Sequence, residues 1–206
     1  TMSTYRSNSE LMRLNTAPIN TWLEVSQALY EVLLLSEDVS LLSNGAFDIT
    51  VAPLVDLWGF GPNKNNFAPP PREDEIEAAK DIVGFQSLVI AKGRPAIFKS
   101  KSINLDLSAI AKGYAVDEIA VLLETNNITN YLVEIGGEIS SRGRNPQGEL
   151  WQIAIETPER LATNRSSMRI IEISDLSIAS SGDYRNYYEI DGEYFSHTID
   201  SRSGHP

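Results

Sequence analysis

Between Ser26 and Leu42 apolar residues recur at helical spacing. Leu29, Val32, Leu33, Leu35 and Val39 form a broad stripe, the pattern of an amphipathic helix packed on a core. Ser26 is placed to cap its first turn, and Asn44-Gly45 to stop it, since both residues tolerate positive φ. Pro53 suits the first turn of a short helix, which the glycines of Leu57-Trp-Gly-Phe-Gly61 end. A Pro/Asn-rich loop over 61–71 precedes a further helix predicted over 72–83. From Gln86 the period shortens to two. Strands are predicted at 87–90, 96–99 and 102–106, followed by a helix that starts at Ser108 as N-cap and runs to about Glu124. Strand patterns fill the remainder, at 131–135, 149–156, 168–173, 177–179, 187–190 and 194–197. Asp191-Gly192, between the last two runs, is a strong hairpin-turn signal. There is no internal repeat or low-complexity tract. Helices mixed with mainly antiparallel strands predict an α+β fold of antiparallel sheets with packed helices.

Composition narrows the function classes. The 206 residues are 42% hydrophobic and 22% charged, ordinary for a globular chain that buries a core without disulfides. Cysteine is absent, which removes thiol nucleophiles, thiolate metal sites and disulfides but leaves the compartment open. A net charge of −11 argues against nucleic acid or an anionic membrane as the main partner. No run approaches the roughly 18 apolar residues of a membrane span, and residues 1–20 lack a signal-peptide pattern. Both ends read as interior sequence, so the chain is expected to be a fragment.

The segment 104–117, Asn-Leu-Asp-Leu-Ser-Ala-Ile-Ala-Lys-Gly-Tyr-Ala-Val-Asp, holds the most candidate chemistry. A predicted strand ends in the carboxylate of Asp106, and Lys112 falls in or near the first turn of the following helix. A cation there opposes the helix dipole by roughly 0.3–1 kcal/mol, so the position asks for a compensating anion. Free N–H groups at 109–111, Lys112 and the close-approach residue Gly113 could bind phosphate. The Ala109 carbonyl or the Asp106 carboxylate could serve a divalent cation. An ordinary helix with one exposed lysine is equally open. His197, the one histidine inside the chain, sits at a predicted strand end, as a general base or as a structural residue. Ser180-Ser-Gly-Asp183 can line a cleft or simply turn the chain. Gly136-Gly137 permits a bulge or close ligand approach. Leu57-Trp-Gly-Phe60 can present aromatic faces to a flat ring or belong to the core.

The order of these blocks along the chain resembles the ApbE-like flavin transferases, or FAD:protein FMN transferases. It is carried by Met2-Ser-Thr-Tyr-Arg6 with Ser9-Glu-Leu11, Gly45-Ala-Phe-Asp-Ile-Thr50, 53–61, 106–117, Gly136-Gly-Glu138, Ser180-Ser-Gly-Asp183, and His197-Thr-Ile-Asp200 with Ser203-Gly204. The resemblance covers almost the whole chain. It implies a T-fold-related architecture over 1–206 and an enzyme that moves FMN from FAD, with Mg²⁺, onto a Ser or Thr hydroxyl of a partner protein, releasing AMP. The partner would be an acceptor flavoprotein subunit carrying a Ser/Thr flavinylation motif. FAD hydrolysis and FAD binding without chemistry are the alternatives. By the same resemblance, His197 is the base, and Leu57, Trp58, Gly59, Phe60, Asp106, Lys112, Ser181 and Thr198 contact FAD. Ala109 gives a metal ligand through its carbonyl. The family pattern includes an opening strand before Thr1 and a helix after the His197 block whose Asp and Thr or Asp complete the metal site. Neither is within the 206 residues, so weak metal binding and little activity are expected of this stretch alone. Ser201 stands where proline is common. The family is usually exported, often with a lipid anchor upstream, and that setting is expected here.

Overall fold

The structure, a computed structural model, describes residues 1–62, 69–159 and 166–206. Most of the predicted loop at 61–71 therefore lies outside the described residues. The chain divides into two compact units, one of residues 1–109 and 186–206 and one of residues 110–185.

In the first unit, two short elements that hydropathy alone did not mark precede the helix capped by Ser26. The first is α1 (Glu10–Thr16), where the Ser9 hydroxyl accepts the Met12 N–H. The other is β1 (Trp22–Glu24). The helix itself, α2 (Gln27–Leu42), starts as expected, with Ser26 accepting the Leu29 N–H. Its stop is also as expected, with Asn44 and Gly45 at φ 51° and 76°. Its buried face is narrower than predicted. Leu29, Val32 and Leu33 are buried but Leu35 is exposed. The inner face is continued instead by Ser36 and Ser40, whose hydroxyls donate to the carbonyls of Val32 and Ser36. A serine satisfied within its own helix can be buried at little cost.

Pro53 lies in the first turn of α3 (Ala52–Leu57), and Gly59 follows at φ 77°. The next helix, α4 (Glu73–Lys80), is shorter than the predicted 72–83. Strands β2 (Leu88–Ile90) and β3 (Ala96–Lys99) join β1 in an antiparallel sheet of order β1-β3-β2, with Ile97 opposite both Leu23 and Ile90. Ile97 is fully buried, and α2 packs against β2.

The strand predicted at 102–106 does not form. Ile103, Leu105 and Leu107 are buried, as alternation requires, but their backbone finds no neighbouring strand among the described residues. The Asp106 N–H donates to the Ile49 carbonyl, and both polar groups of Leu105 pair with the Asn15 side chain. Residues 108–110 then turn, and the next helix begins only at Ala111. Ser108 is consequently not its N-cap. Its N–H is drawn to the Asp106 carboxylate at 2.7 Å, a local turn that competes with the helix.

The second unit opens with α5 (Ala111–Thr125), which packs on β4 (Tyr131–Ile135) and β5 (Glu138–Arg142). The latter strand was not predicted, and its buried residues include Ser140 and Ser141. Gly136-Gly137, φ 59° and 97°, is the two-residue turn of this hairpin, with Ile135 opposite Glu138. It is not a bulge, and both positions need the positive φ of a tight hairpin turn. A further hairpin pairs β6 (Trp151–Glu156), two residues shorter than predicted, with β7 (Ser167–Ile173). β8 (Leu176–Ile178) adds to β5. Back in the first unit, β9 (Tyr187–Ile190) and β10 (Glu193–Ser196) form the hairpin predicted at Asp191-Gly192, with φ 52° and 85°. His197 lies one residue past the strand that was expected to contain it.

The first unit's aromatic core is built around Leu54, Trp58, Phe60 and Ile76, with Tyr188, Phe195 and Ile199 packed against them. Mixed helices and antiparallel pairs match the α+β expectation.

Candidate functional site

His197 leaves β10 into an exposed turn. Its backbone N–H donates to the Asn186 carbonyl, and its ring Nδ1 lies 3.2 Å from that same oxygen. A carbonyl can only accept, so in the neutral ring Nδ1 carries the proton and the lone pair resides on Nε2. Phe60 meets the ring edge-on, 6.3 Å between centroids. One side of the imidazole is thus held by a carbonyl and an aromatic edge, while Nε2 has no hydrogen-bond partner among the described residues. Thr198 beside it is exposed.

Of the 57–60 segment, Trp58 and Phe60 are buried, at 3% and 7% exposure. The Trp58 indole stacks on Phe195, meets the His205 ring edge-on and donates its N–H to the Gly204 carbonyl at 2.7 Å. Phe60 stacks on Tyr188. The parts of this segment left accessible are Leu57 and Gly59, both half-buried.

Asp106 is half-buried and accepts the Ser108 N–H, while Ala109 is exposed in the turn that follows. Asp56, which sequence reading passed over, stands close enough to feel Asp106. Burial pushes its carboxyl above the ordinary value, and the Asp106 charge adds to that rise. Its carboxylate lies over Gly61, where an added Cβ would fall 1.6 Å from Oδ1. The signal available in the sequence was Asp56 one turn before a glycine pair, which is weak without a partner.

In the second unit, Lys112 is the second residue of α5, whose first turn has no acidic residue and whose N-cap, Ile110, makes no side-chain hydrogen bond. The anion that this position demands is Glu138. Lys112 Nζ lies 2.8 Å from Glu138 Oε1 and donates to the Gly136 carbonyl at 3.3 Å. Glu138 Oε2 is buried without a hydrogen-bond partner among the described residues. The hairpin turn allows this approach, since a Cβ at Gly136 would stand 3.2 Å from Lys112 Cδ. Ser181 is exposed, beyond β8. Next to it, the Ser180 hydroxyl would lie 4.0 Å from a Cβ at Gly137.

Within the first unit, then, His197 and Phe60 meet, and the Asp106 charge reaches Asp56. Within the second, Lys112 meets Glu138 and the glycine turn. Hard oxygen donors at Asp106 and Ala109 suit a cation such as Mg²⁺. Among the described residues no group of three or more His, Cys, Asp or Glu could hold a metal. No helix among the described residues is long and apolar enough to cross a membrane.

Comparison with known proteins finds relatives over the whole of this chain. The FAD:protein FMN transferase of Vibrio cholerae is 44% identical over 205 residues, covering 100% of this chain and 60% of its own length. That of Haemophilus influenzae is 41% identical over 209 residues, with 100% and 60% covered. The chain thus spans about 60% of the curated relatives it matches. The crystal structure of the Pseudomonas stutzeri flavinyl transferase ApbE, apo form, matches with a TM-score of 0.86 at 39% identity, covering 100% of this chain and 62% of that one. With the ApbE family model matched over residues 1–206, the chain belongs to the ApbE family.

Proposed function

We propose that this chain is the larger part of a transferase that moves FMN from FAD onto a hydroxyl of a partner protein, with Mg²⁺ required and AMP released. The observation that carries the reading is His197. Its Nδ1 is engaged by a backbone carbonyl, and its Nε2 is left as a base in a family whose curated relatives are named FAD:protein FMN transferase.

The chemistry balances as a displacement at phosphorus. The acceptor hydroxyl oxygen bonds to the phosphorus of the FMN half, the bridging P–O bond breaks, AMP leaves, and the hydroxyl proton goes to His197 Nε2. A Ser or Thr hydroxyl is too weakly acidic to attack unaided near neutral pH, which is why a positioned imidazole is needed. The Nδ1 contact keeps the ring in the tautomer that can accept the proton. In the first unit Leu57, Gly59, Asp106 and Thr198 are the proposed FAD contacts, with the buried Trp58 and Phe60 behind the first two. The aromatic pair supports Leu57 and Gly59 from behind rather than facing the flavin with open rings. In the second unit the proposed contacts are Lys112 and Ser181, the lysine serving as a cation for phosphate oxygens. A bound Mg²⁺ would offset pyrophosphate charge, with Asp106 and the Ala109 carbonyl among its ligands. An exported setting and an acceptor subunit with a Ser/Thr flavinylation motif complete the proposal.

The test is incubation of the protein with FAD, Mg²⁺ and an acceptor domain. Flavin fluorescence that stays on the denatured acceptor supports transfer. Release of AMP and FMN with an unlabelled acceptor means hydrolysis, and FAD retention with neither product means a binding protein. Either result would replace the proposal.

A further inference from the structure

We infer that Asn15 is a positioning residue for Asp106, an inference that rests on the placement of Asp106 at the proposed FAD site. The segment 103–107 has the alternating burial of a strand but, among the described residues, no strand beside it. Where a ladder would supply a donor and an acceptor, a single side chain does so. Asn15 Nδ2 donates to the Leu105 carbonyl at 3.0 Å, and Asn15 Oδ1 accepts the Leu105 N–H at 2.8 Å. A primary amide is the side chain that can match both polar groups of one residue from one direction. The next N–H, that of Asp106, is taken by the Ile49 carbonyl at 2.7 Å. The backbone that aims the Asp106 carboxylate is therefore fixed by Asn15 on one side and Ile49 on the other.

Asn15 is itself held firmly. It stands in the last turn of α1, where the buried Lys99 donates through Nζ to the carbonyls of Leu14 and Asn15, at 2.6 and 3.2 Å. At the other end of that helix Glu10 accepts both the N–H and the hydroxyl of Ser26. Helix α1 is thus tied to the start of α2 and to β3, and its role toward the site runs through one amide. Leu105 is fully buried, so losing the amide would leave an N–H and a carbonyl without water to replace it.

A double-mutant cycle with hydrogen exchange tests this. Asn15→Ala should weaken FAD binding on the order of fivefold to tenfold, the loss of about one hydrogen bond's net worth. In an Asp106→Asn background the same change should weaken it by less than about twofold, because the group it positions is already altered. The thermal midpoint should fall equally in both backgrounds. A purely structural Asn15 would give the same loss of affinity in both, or none in either, and that result overturns the inference. If the unmutated protein does not bind FAD, the FAD assignment fails and exchange decides the rest. Asn15→Ala should then speed amide exchange at Leu105 and Asp106 about tenfold or more with β2 and β3 unaffected, and unchanged protection refutes the clamp. Should the alanine variant not fold, Asn15→Gln keeps both donor and acceptor but displaces them by one methylene, and should show the same pattern at smaller size.

Discussion

His197 illustrates how one backbone atom can set the chemistry of a side chain. The Asn186 carbonyl meets both the backbone N–H and Nδ1 of this residue, so position and tautomer are decided together. His197→Ala is expected to reduce FMN transfer by roughly 10²–10⁴-fold, the usual worth of a general base. FAD affinity should change by less than about twofold, as checked by flavin titration beside the gel assay. Lys99 carries a different prediction. Burial holds its amine below the ordinary lysine range, so between the folded and unfolded values the unfolded chain binds more protons. Its contribution to stability must then rise as pH climbs through the depressed folded value toward about 10.4. Denaturation midpoints of the wild type and Lys99→Met, compared from pH 7 to pH 10, should show the wild type gaining on the variant. A constant difference would mean that the lysine binds its proton equally in the folded and unfolded states, and would refute the depression.

Individual elements show which parts of the fold could be read in advance. Helix α2 was legible because Ser26, the apolar period and Asn44-Gly45 all point to the same boundaries. Ser26→Ala should cost about 1–2 kcal/mol in urea unfolding, toward the upper end because the hydroxyl also donates to Glu10. The β9–β10 hairpin was legible for a similar reason, since Asp-Gly leaves one turn geometry. By contrast, α1 is seven residues long and has too few apolar positions to declare a period. In β5 the buried Ser140 and Ser141 erase the alternation that would announce a strand. The segment 102–106 failed in the opposite sense, for alternation reports burial and cannot report whether the partner is a strand or an amide. At the site, Lys112 was visible but its partner Glu138 was not, because only the Gly136-Gly137 turn brings them together. Gly136→Val should therefore loosen the β4–β5 hairpin by about 1 kcal/mol or more, since a β-branched residue resists positive φ. Amide exchange at Glu134 to Ser140 would register it, and Gly136→Asn should be milder.

Across the whole molecule, burial is unevenly shared. Among the described residues most fully buried apolar side chains belong to the first unit, while the second is represented by Val116, Ala120, Tyr131, Ile139 and Ile173. The slowest-exchanging amides are accordingly expected in the first unit, on α2 and β3, with α5 and its sheet opening at lower free energy. Protection of equal magnitude in both would show the two units to unfold as one. The first unit is also discontinuous: residues 186–206 return to it after the whole second unit has been made. The Trp58 indole is completed only then, by Phe195, the Gly204 carbonyl and His205. On the ribosome, at about 5–20 residues per second, this tryptophan must wait while roughly 146 residues separate it from its acceptor, many seconds of elongation. Through that interval the first unit has an unfilled core, and residues 110–185 have time to pair their own strands before it closes. The indole thus reports the return of the chain to the first unit, its acceptor in place only once residues 186–206 have been made.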